Sequence, residues 1–273
     1  MDLSHKIALV TGAAGRIGKA IALSLAKEGA TVAIHYNHSK EQAQSTLAII
    51  QQDSPQSFLV QGDLSSVDAI ETIAREATKF GNIDILINNA SLFPAEDNLF
   101  TFQIDQWQRL WNVNVLAPML LARNLFSDLG KSDTAVESEP MSDTSIQPSP
   151  QRVIVNLIDA GLNHISYDNF VYRMTKAALK EMTLMMAKEL APDVRVNGVA
   201  PGAILPPAKM GTDGNIMAPD GKRADDFFQA YVQKNVALKR PGSPEIIAEN
   251  VLHLIQQDFL TGVILPVDGG EFI

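Results

Sequence analysis

Lys6 to Leu25 reads K-I-A-L-V-T-G-A-A-G-R-I-G-K-A-I-A-L-S-L, and its parts decide the fold. Lys6 to Val10 is a short apolar run, Thr11 to Gly18 is a glycine-rich turn, and Ile17 to Leu25 carries apolar residues at helical spacing. Strand, glycine-rich turn and helix open a dinucleotide-binding βαβ unit. N–H groups at such a helix start can hold a pyrophosphate, and Gly12 and Gly18 let the backbone come close to it.

The alternation continues outward from this unit. Thr31 to His35 reads as strand, Ser39 to Gln51 as helix, Ser57 to Val60 as strand, Val67 to Phe80 as helix and Ile83 to Ile87 as a fourth strand. Val153 to Leu157, Val194 to Val199 and Val263 to Val267 add three short apolar runs with helical stretches between them. Strands apolar throughout belong in a parallel sheet covered on both faces, so the expectation is an α/β fold: one doubly wound domain over residues 1–273, with about seven parallel strands. Two stretches break the rhythm. Residues 131–151, rich in Ser, Pro, Asp and Glu, read as a mobile surface insertion or plain solvated loop, and residues 202–225 follow a strand's C-terminal end, where a long loop is a candidate substrate lid.

Composition narrows the chemistry. A net charge of -9 argues against a nucleic-acid surface, and an anionic ligand needs a few locally placed donors instead. The chain has no cysteine, which excludes disulfides and thiolate chemistry, and its five histidines show no metal-binding spacing, so no metal is expected. The N-terminus goes straight into a strand-like run and no apolar run approaches the ~18 residues of a membrane helix, so a cytoplasmic protein without a membrane partner is expected.

Asp159 to Lys176 can bring a carboxylate, a phenol and an ammonium together. Tyr172 and Lys176 open an apolar-periodic run and share one helix face, where an ammonium beside a phenol is expected to lower the phenol's pKa. Such a phenol can hand a proton to a substrate near neutral pH. At the second strand's end, His35 to Lys40 contains no carboxylate, whereas NAD-preferring sites place an acid there for the ribose 2′-hydroxyl. Asn37, His38 and Ser39 offer donors and Arg16 a fixed positive charge, so NADPH is the expected coenzyme. Asp63 is either an acceptor for an adenine amino group or the cap of the helix beginning near Val67. Pro118 has no N–H, so in a continuous helix from Asp105 to Leu129 the Asn114 carbonyl loses its partner: it is left to bind water, or the helix kinks.

The turn T-G-x-x-x-x-x-G, N-N-A at Asn88 to Ala90, Asn114 in W-N-V-N-V, Tyr172 and Lys176 in Y-x-x-x-K, and N-G-V-A-P-G at 197–202 resemble the short-chain dehydrogenase/reductase family, in family order over nearly the whole chain. The resemblance implies a Rossmann fold, a nicotinamide coenzyme, Tyr172 as proton donor, Lys176 holding the nicotinamide ribose, and Asn114 anchoring a proton-relay water. It extends the coenzyme contacts to Ile17, Tyr36, Leu64, Asn89, Ala90, Ser91, Pro201 and Gly202, and implies a dimer or tetramer.

Two departures narrow it. Asp159 stands where the family usually has a catalytic serine, and Arg16 stands where its turn has a middle glycine. Both are similar to the pteridine reductases, as are H-Y-x-x-S after the second strand and N-A-S-x-F at 89–93. That resemblance implies NADPH-dependent reduction of a pterin-like small molecule. Phe93 would stack on the pterin ring, Arg16 and Ser91 would bind pterin or coenzyme phosphate, and Asp159 would assist Tyr172. A carbonyl or 3-oxoacyl reductase of the same family, and a coenzyme-binding regulatory protein without catalysis, are the alternatives.

Overall fold

Both faces of the central strands are covered, so these strands are mostly apolar, and polar residues within them such as Asn156 are buried and hydrogen-bonded. The computed structural model describes residues 1–93, 97–127, 152–166, 168–206 and 224–273. The strands are β1 (Ile7–Val10), β2 (Thr31–Tyr36), β3 (Phe58–Gln61), β4 (Ile85–Asn88), β5 (Arg152–Leu157), β6 (Val194–Pro201) and β7 (Ile264–Val267). They form one seven-stranded sheet in the order β3-β2-β1-β4-β5-β6-β7, every neighbouring pair parallel. The chain is thus a single Rossmann-like α/β domain, with the expected strands displaced by a residue or two at their ends.

Successive side chains of a strand point to opposite faces, and the core divides accordingly. Val10, Ile87 and Val155 pack with Ile21 and Leu25 of α1 (Arg16–Lys27) and Val251 and Leu254 of α8 (Pro244–Gln256). Leu9, Leu86 and Ile154 pack on the other face with Ile70 and Ile73 of α3 (Val67–Ala77), Leu121 of α5 (Ala117–Leu125) and Met186 of α6 (Phe170–Glu189). Each large aliphatic side chain so buried stabilises the fold by about 1.5–3 kcal/mol. The buried Arg195 closes the C-terminal end of α8, donating to the carbonyls of Leu254 at 2.7 Å and Ile255 at 2.6 Å.

Strand order reverses direction between β1 and β4, and ligands of open α/β sheets bind in the crevice outside the strand C-termini at that point. The turns after β1, β4, β5 and β6 all open onto it. Over the stretch read as a possible helix from Asp105 to Leu129, the helix runs on but changes its period: α4 (Ile104–Trp111) passes through a π turn at Asn112–Leu116 into α5. There the Ala117 N–H bonds to the Asn112 carbonyl, five residues back. The wide turn places Pro118 in the first turn of α5, where a missing N–H is tolerated. The remaining helices are α2 (Lys40–Ile50) and α7 (Ala224–Asn235). The expected insertion at 131–151 and most of the expected lid, 207–223, lie outside the described residues.

Candidate active site

The turn after β1 has the geometry its glycines imply. Gly12 has φ +64°, the left-handed region that favours glycine. A Cβ on Gly18 would lie 2.4 Å from the Gly12 carbonyl oxygen and 2.5 Å from Asn89 Nδ2, so no side chain fits there. Asn89 and Ala90 brace this turn: their N–H groups donate to Thr11 Oγ1, each at 3.0 Å, and Asn89 Nδ2 donates to the Thr11 carbonyl at 2.8 Å. A second brace was not foreseen. Buried His35 accepts the Gly12 N–H on Nδ1 at 3.2 Å, while Nε2 donates to the Gly62 carbonyl at 3.1 Å. Burial pulls its pKa down to about 4, so the ring stays neutral in the tautomer these partners require. A lone histidine inside an apolar strand was its only signal.

Arg16, where the family has glycine, takes φ +55°, a left-handed position, at a cost of about 1–2 kcal/mol for a side-chain-bearing residue. Its guanidinium donates to the Pro206 carbonyl at 3.0 Å, across the mouth of the crevice. At the end of β2, Tyr36 is buried and its hydroxyl donates to Gln61 Oε1 at 3.3 Å; Asn37 is half-buried, and His38 and Ser39 are exposed. Asp63 does not cap α3. That position belongs to Ser66, which accepts from the Ala69 N–H, while Asp63 Oδ1 accepts the Ser65 N–H at 2.9 Å. Burial opposes ionisation of Asp63, but the hydrogen bonds from Ser65 and the charges of Arg109 and His38 outweigh it and hold its pKa below the ordinary value. Leu64 beside it is buried.

Asp159, at the end of β5, divides its two oxygens. Oδ1 accepts the Gly161 N–H at 2.7 Å and so caps the 3₁₀ turn Ala160–Asn163; Oδ2 accepts the Tyr172 hydroxyl at 2.8 Å. Lys176 is buried and donates to the Leu157 carbonyl at 2.8 Å, with Nζ 5.8 Å from the Tyr172 ring centre. The expected direction of the Tyr172 pKa is therefore overturned. Burial raises it well above the ordinary value, and the charge and hydrogen bond of Asp159 add to that; Arg173 opposes them weakly. Burial also lowers Lys176 to about 8, against the pull of Asp159. The ammonium points at a strand carbonyl while the phenol proton points at a carboxylate, so burial and the carboxylate together set the direction.

Asn114 in the π turn is the hub beneath this group. Its Oδ1 accepts the Leu92 N–H at 2.9 Å and the Ser91 hydroxyl at 3.2 Å; its Nδ2 donates to the Leu92 carbonyl at 3.1 Å and to Thr175 Oγ1 at 3.0 Å. The side chain ties the loop after β4 to α6. On that loop Phe93 is 46% exposed, and its ring meets the Tyr172 ring edge-on at 4.7 Å between centres.

Two cavities meet at Asp159 and Tyr172. One, of about 210 Å³, is lined by Arg16, Ile17, Asn89, Ser91, Lys176 and Leu205. The other, of about 380 Å³, is lined by Phe93, Asn169, Phe227, Phe228, Tyr231 and Glu271. Pro201 and Gly202 border both. The first cavity, with its glycine turn and buried lysine, fits the nicotinamide end of a dinucleotide. Phe227, Tyr231 and Glu271 were not foreseen, because they reach the site from α7 and the C-terminal segment, far away in sequence.

Comparison with known proteins places the chain in a family. The family model described as Enoyl-(Acyl carrier protein) reductase matches residues 12–271. The chain belongs to the short-chain dehydrogenase/reductase family. A short-chain dehydrogenase/reductase, FrzI of Cladobotryum sp, is 32% identical to this reductase-family chain, over 98% of it and 96% of FrzI. Glucose 1-dehydrogenase 2 of Bacillus subtilis (strain 168) is 29% identical over 98% of this chain and 95% of its own. Among solved structures, FolM alternative dihydrofolate reductase 1 from Brucella canis, complexed with NADP, is 28% identical with a TM-score of 0.80, covering 100% of this chain and 96% of that one. Among the described residues of this family member, no group of three or more His, Asp or Glu is placed to hold a metal ion, and no helix is long and apolar enough to cross a membrane.

Proposed function

We propose that this oxidoreductase reduces pterins with NADPH, taking dihydropterin or dihydrofolate-like substrates to the tetrahydro form. The observation that carries the reading is the Asp159–Tyr172 hydrogen bond of 2.8 Å, set against the Phe93 ring at the junction of the two cavities. FolM, a dihydrofolate reductase by name and NADP-bound, shares the whole fold with this chain and supports it. Bound in the smaller cavity, NADPH would supply a hydride. The Gly12 to Gly18 turn would hold its pyrophosphate, Lys176 its nicotinamide ribose, and Arg16 with Asn37, His38 and Ser39 its 2′-phosphate; Asp63 and Leu64 would border the adenine.

The chain's own residues would handle the proton. Tyr172, kept in its acid form by burial and by Asp159, would give its proton to the ring nitrogen next to the carbon that accepts the hydride. Asp159, protonated from the open cavity, would return a proton to Tyr172 across the same contact, and Asn114 would hold Tyr172's helix and the Phe93 loop in register. Phe93 would cover one face of the flat ring. A carboxylate there suits a ring nitrogen and disfavours a ketone, because it would repel the developing oxyanion.

Steady-state assays with 7,8-dihydrobiopterin, dihydrofolate and a 3-oxoacyl ester test this reading. We expect turnover of the first two and little of the third, with Phe93→Ala chiefly raising the pterin KM, Asp159→Ser lowering pterin turnover and Tyr172→Phe abolishing most of it. Fast oxoacyl reduction without pterin activity would return the protein to the carbonyl-reductase reading.

A further inference from the structure

The larger cavity contains a second tyrosine–carboxylate pair. Tyr231, on α7, donates its hydroxyl to Glu271 Oε1 at 2.5 Å, and the Ala203 N–H donates to Glu271 Oε2 at 2.7 Å. Three glycines make room for this carboxylate. Gly269 and Gly270 take φ of +64° and +76° after β7, turning the C-terminal segment back onto α7; a Cβ on either would lie 2.9 Å from Val236 or Ala237. A Cβ on Gly202 would lie 2.5 Å from Glu271 Oε2 itself. Placed this way, Glu271 and Phe272 form a wall of the cavity that Asp159 and Tyr172 also line.

The charges around this cavity are unbalanced. Among the described residues, its ionisable lining consists of Asp159, Glu271, the two tyrosines and Arg173, and the Arg173 guanidinium is turned onto the carbonyls of Gly161 and His164. Tyr231 is held in its acid form by burial first, then by its hydrogen bond to Glu271. A further acceptor lies on the same lining: Asn169 Oδ1 is buried without a hydrogen-bond partner among the described residues, on a backbone at φ +53°. A carboxylate offers about four lone-pair directions, and Glu271 uses two of them. The lining therefore presents acceptors that look for donors.

We infer that Glu271, held by Tyr231 and the Ala203 N–H, is a specificity-determining residue that selects substrates with an N–H-rich edge, such as the 2-amino-4-oxopyrimidine ring of a pterin, with Asn169 as a second acceptor. The inference rests on the pterin reading and names the group that would recognise the amino edge. A carboxylate at this place also turns away substrates that carry an anion near the reacting ring. Glu271 acts on binding, whereas Asp159 serves the proton transfer.

The test compares 7,8-dihydrobiopterin with its 2-oxo counterpart, a dihydrolumazine, in the wild-type protein, Glu271→Gln and Tyr231→Phe, with NADPH affinity and melting temperature measured alongside. The wild type should prefer the 2-amino compound at least about 10-fold in kcat/KM, since a site built to bond an N–H rejects an analogue lacking it. Glu271→Gln should shrink that ratio to within about threefold, through KM more than kcat. Tyr231→Phe keeps the carboxylate and should keep the preference. An unchanged ratio in Glu271→Gln would overturn the inference, and so would an equal collapse in both variants with a lowered melting temperature, which would assign the pair to packing of the C-terminal segment. Absence of turnover of either compound by the wild type would defeat the pterin reading and this inference with it.

Discussion

Replacing Lys176 by methionine should make the coenzyme-free protein more stable at pH 7 and less stable above pH 10. Lys176 is 2% exposed, and burial lowers its pKa from 10.5 to about 8. Below pH 8 the folded protein carries a buried ammonium that the unfolded chain would carry in water, and the shift corresponds to about 3 kcal/mol of lost stability. The sign follows from proton counts. Between about pH 8 and pH 10.5 the unfolded state binds more protons, so wild-type stability rises with pH through that window and the cost disappears above it. Methionine has similar length and no charge, but it leaves the Leu157 carbonyl without its 2.8 Å donor, a loss of about 1 kcal/mol. The net expectation is a gain of about 2 kcal/mol at pH 7 and a deficit of about 1 kcal/mol near pH 10.5. Urea unfolding of both proteins at intervals of one pH unit would measure the difference, in which the contributions of all other groups cancel. A difference flat across the window to within about 1 kcal/mol would refute the reasoning. The same substitution should nearly abolish turnover and reduce the stabilisation that NADPH confers, since a ligand stabilises only as far as it binds the folded state.

Two further outcomes are expected. Gly18→Ala, whose methyl would lie 2.4 Å from the Gly12 carbonyl oxygen, should raise the NADPH Kd more than about 100-fold, checked by fluorescence titration; a Kd near the wild-type value would mean that the turn does not hold the pyrophosphate. NADPH should exceed NADH in kcat/KM, and Asn37→Asp should narrow that gap, because a carboxylate at the end of β2 repels a 2′-phosphate; equal use of both coenzymes by the unmodified protein would sink the assignment.

What was legible in the sequence follows from how far apart the deciding atoms lie along the chain. The strand, glycine turn and helix at Lys6 to Leu25 could be read because the requirement for glycine at Gly12 and Gly18 is local backbone geometry. Tyr172 and Lys176 could be placed on one face because helical periodicity fixes it. The direction of the Tyr172 pKa could not be read, since it depends on how deeply the hydroxyl is buried and which of two partners it meets: it donates to Asp159 at 2.8 Å, while Lys176 turns to Leu157. The break at Pro118 was visible as a missing N–H, but its resolution by a π turn required the packing of Asn114 between the loop after β4 and Thr175. His35 and Glu271 were illegible for the same reason, because their partners Gly12, Tyr231 and Ala203 come from other segments that only the sheet brings together.

The division of charge at the crevice also explains how an acidic chain can serve an anionic coenzyme. The net charge is -9, yet Arg16 and Lys176 line the smaller cavity and the turn at its base presents backbone N–H groups. Glu271 lines only the larger cavity, and Asp159 sits where the two meet. Local donors therefore decide what each cavity takes, because charges more than about 10 Å away are largely screened at physiological salt. Arg16 in a left-handed position is consistent with this division: glycine would relieve about 1–2 kcal/mol of strain there, but it would remove a fixed cation where the β1 turn meets the post-β6 loop, through the Pro206 carbonyl. A residue retained against its own backbone preference is best explained by the site it faces. On the proposed reading, that site is where phosphate and pterin come closest together.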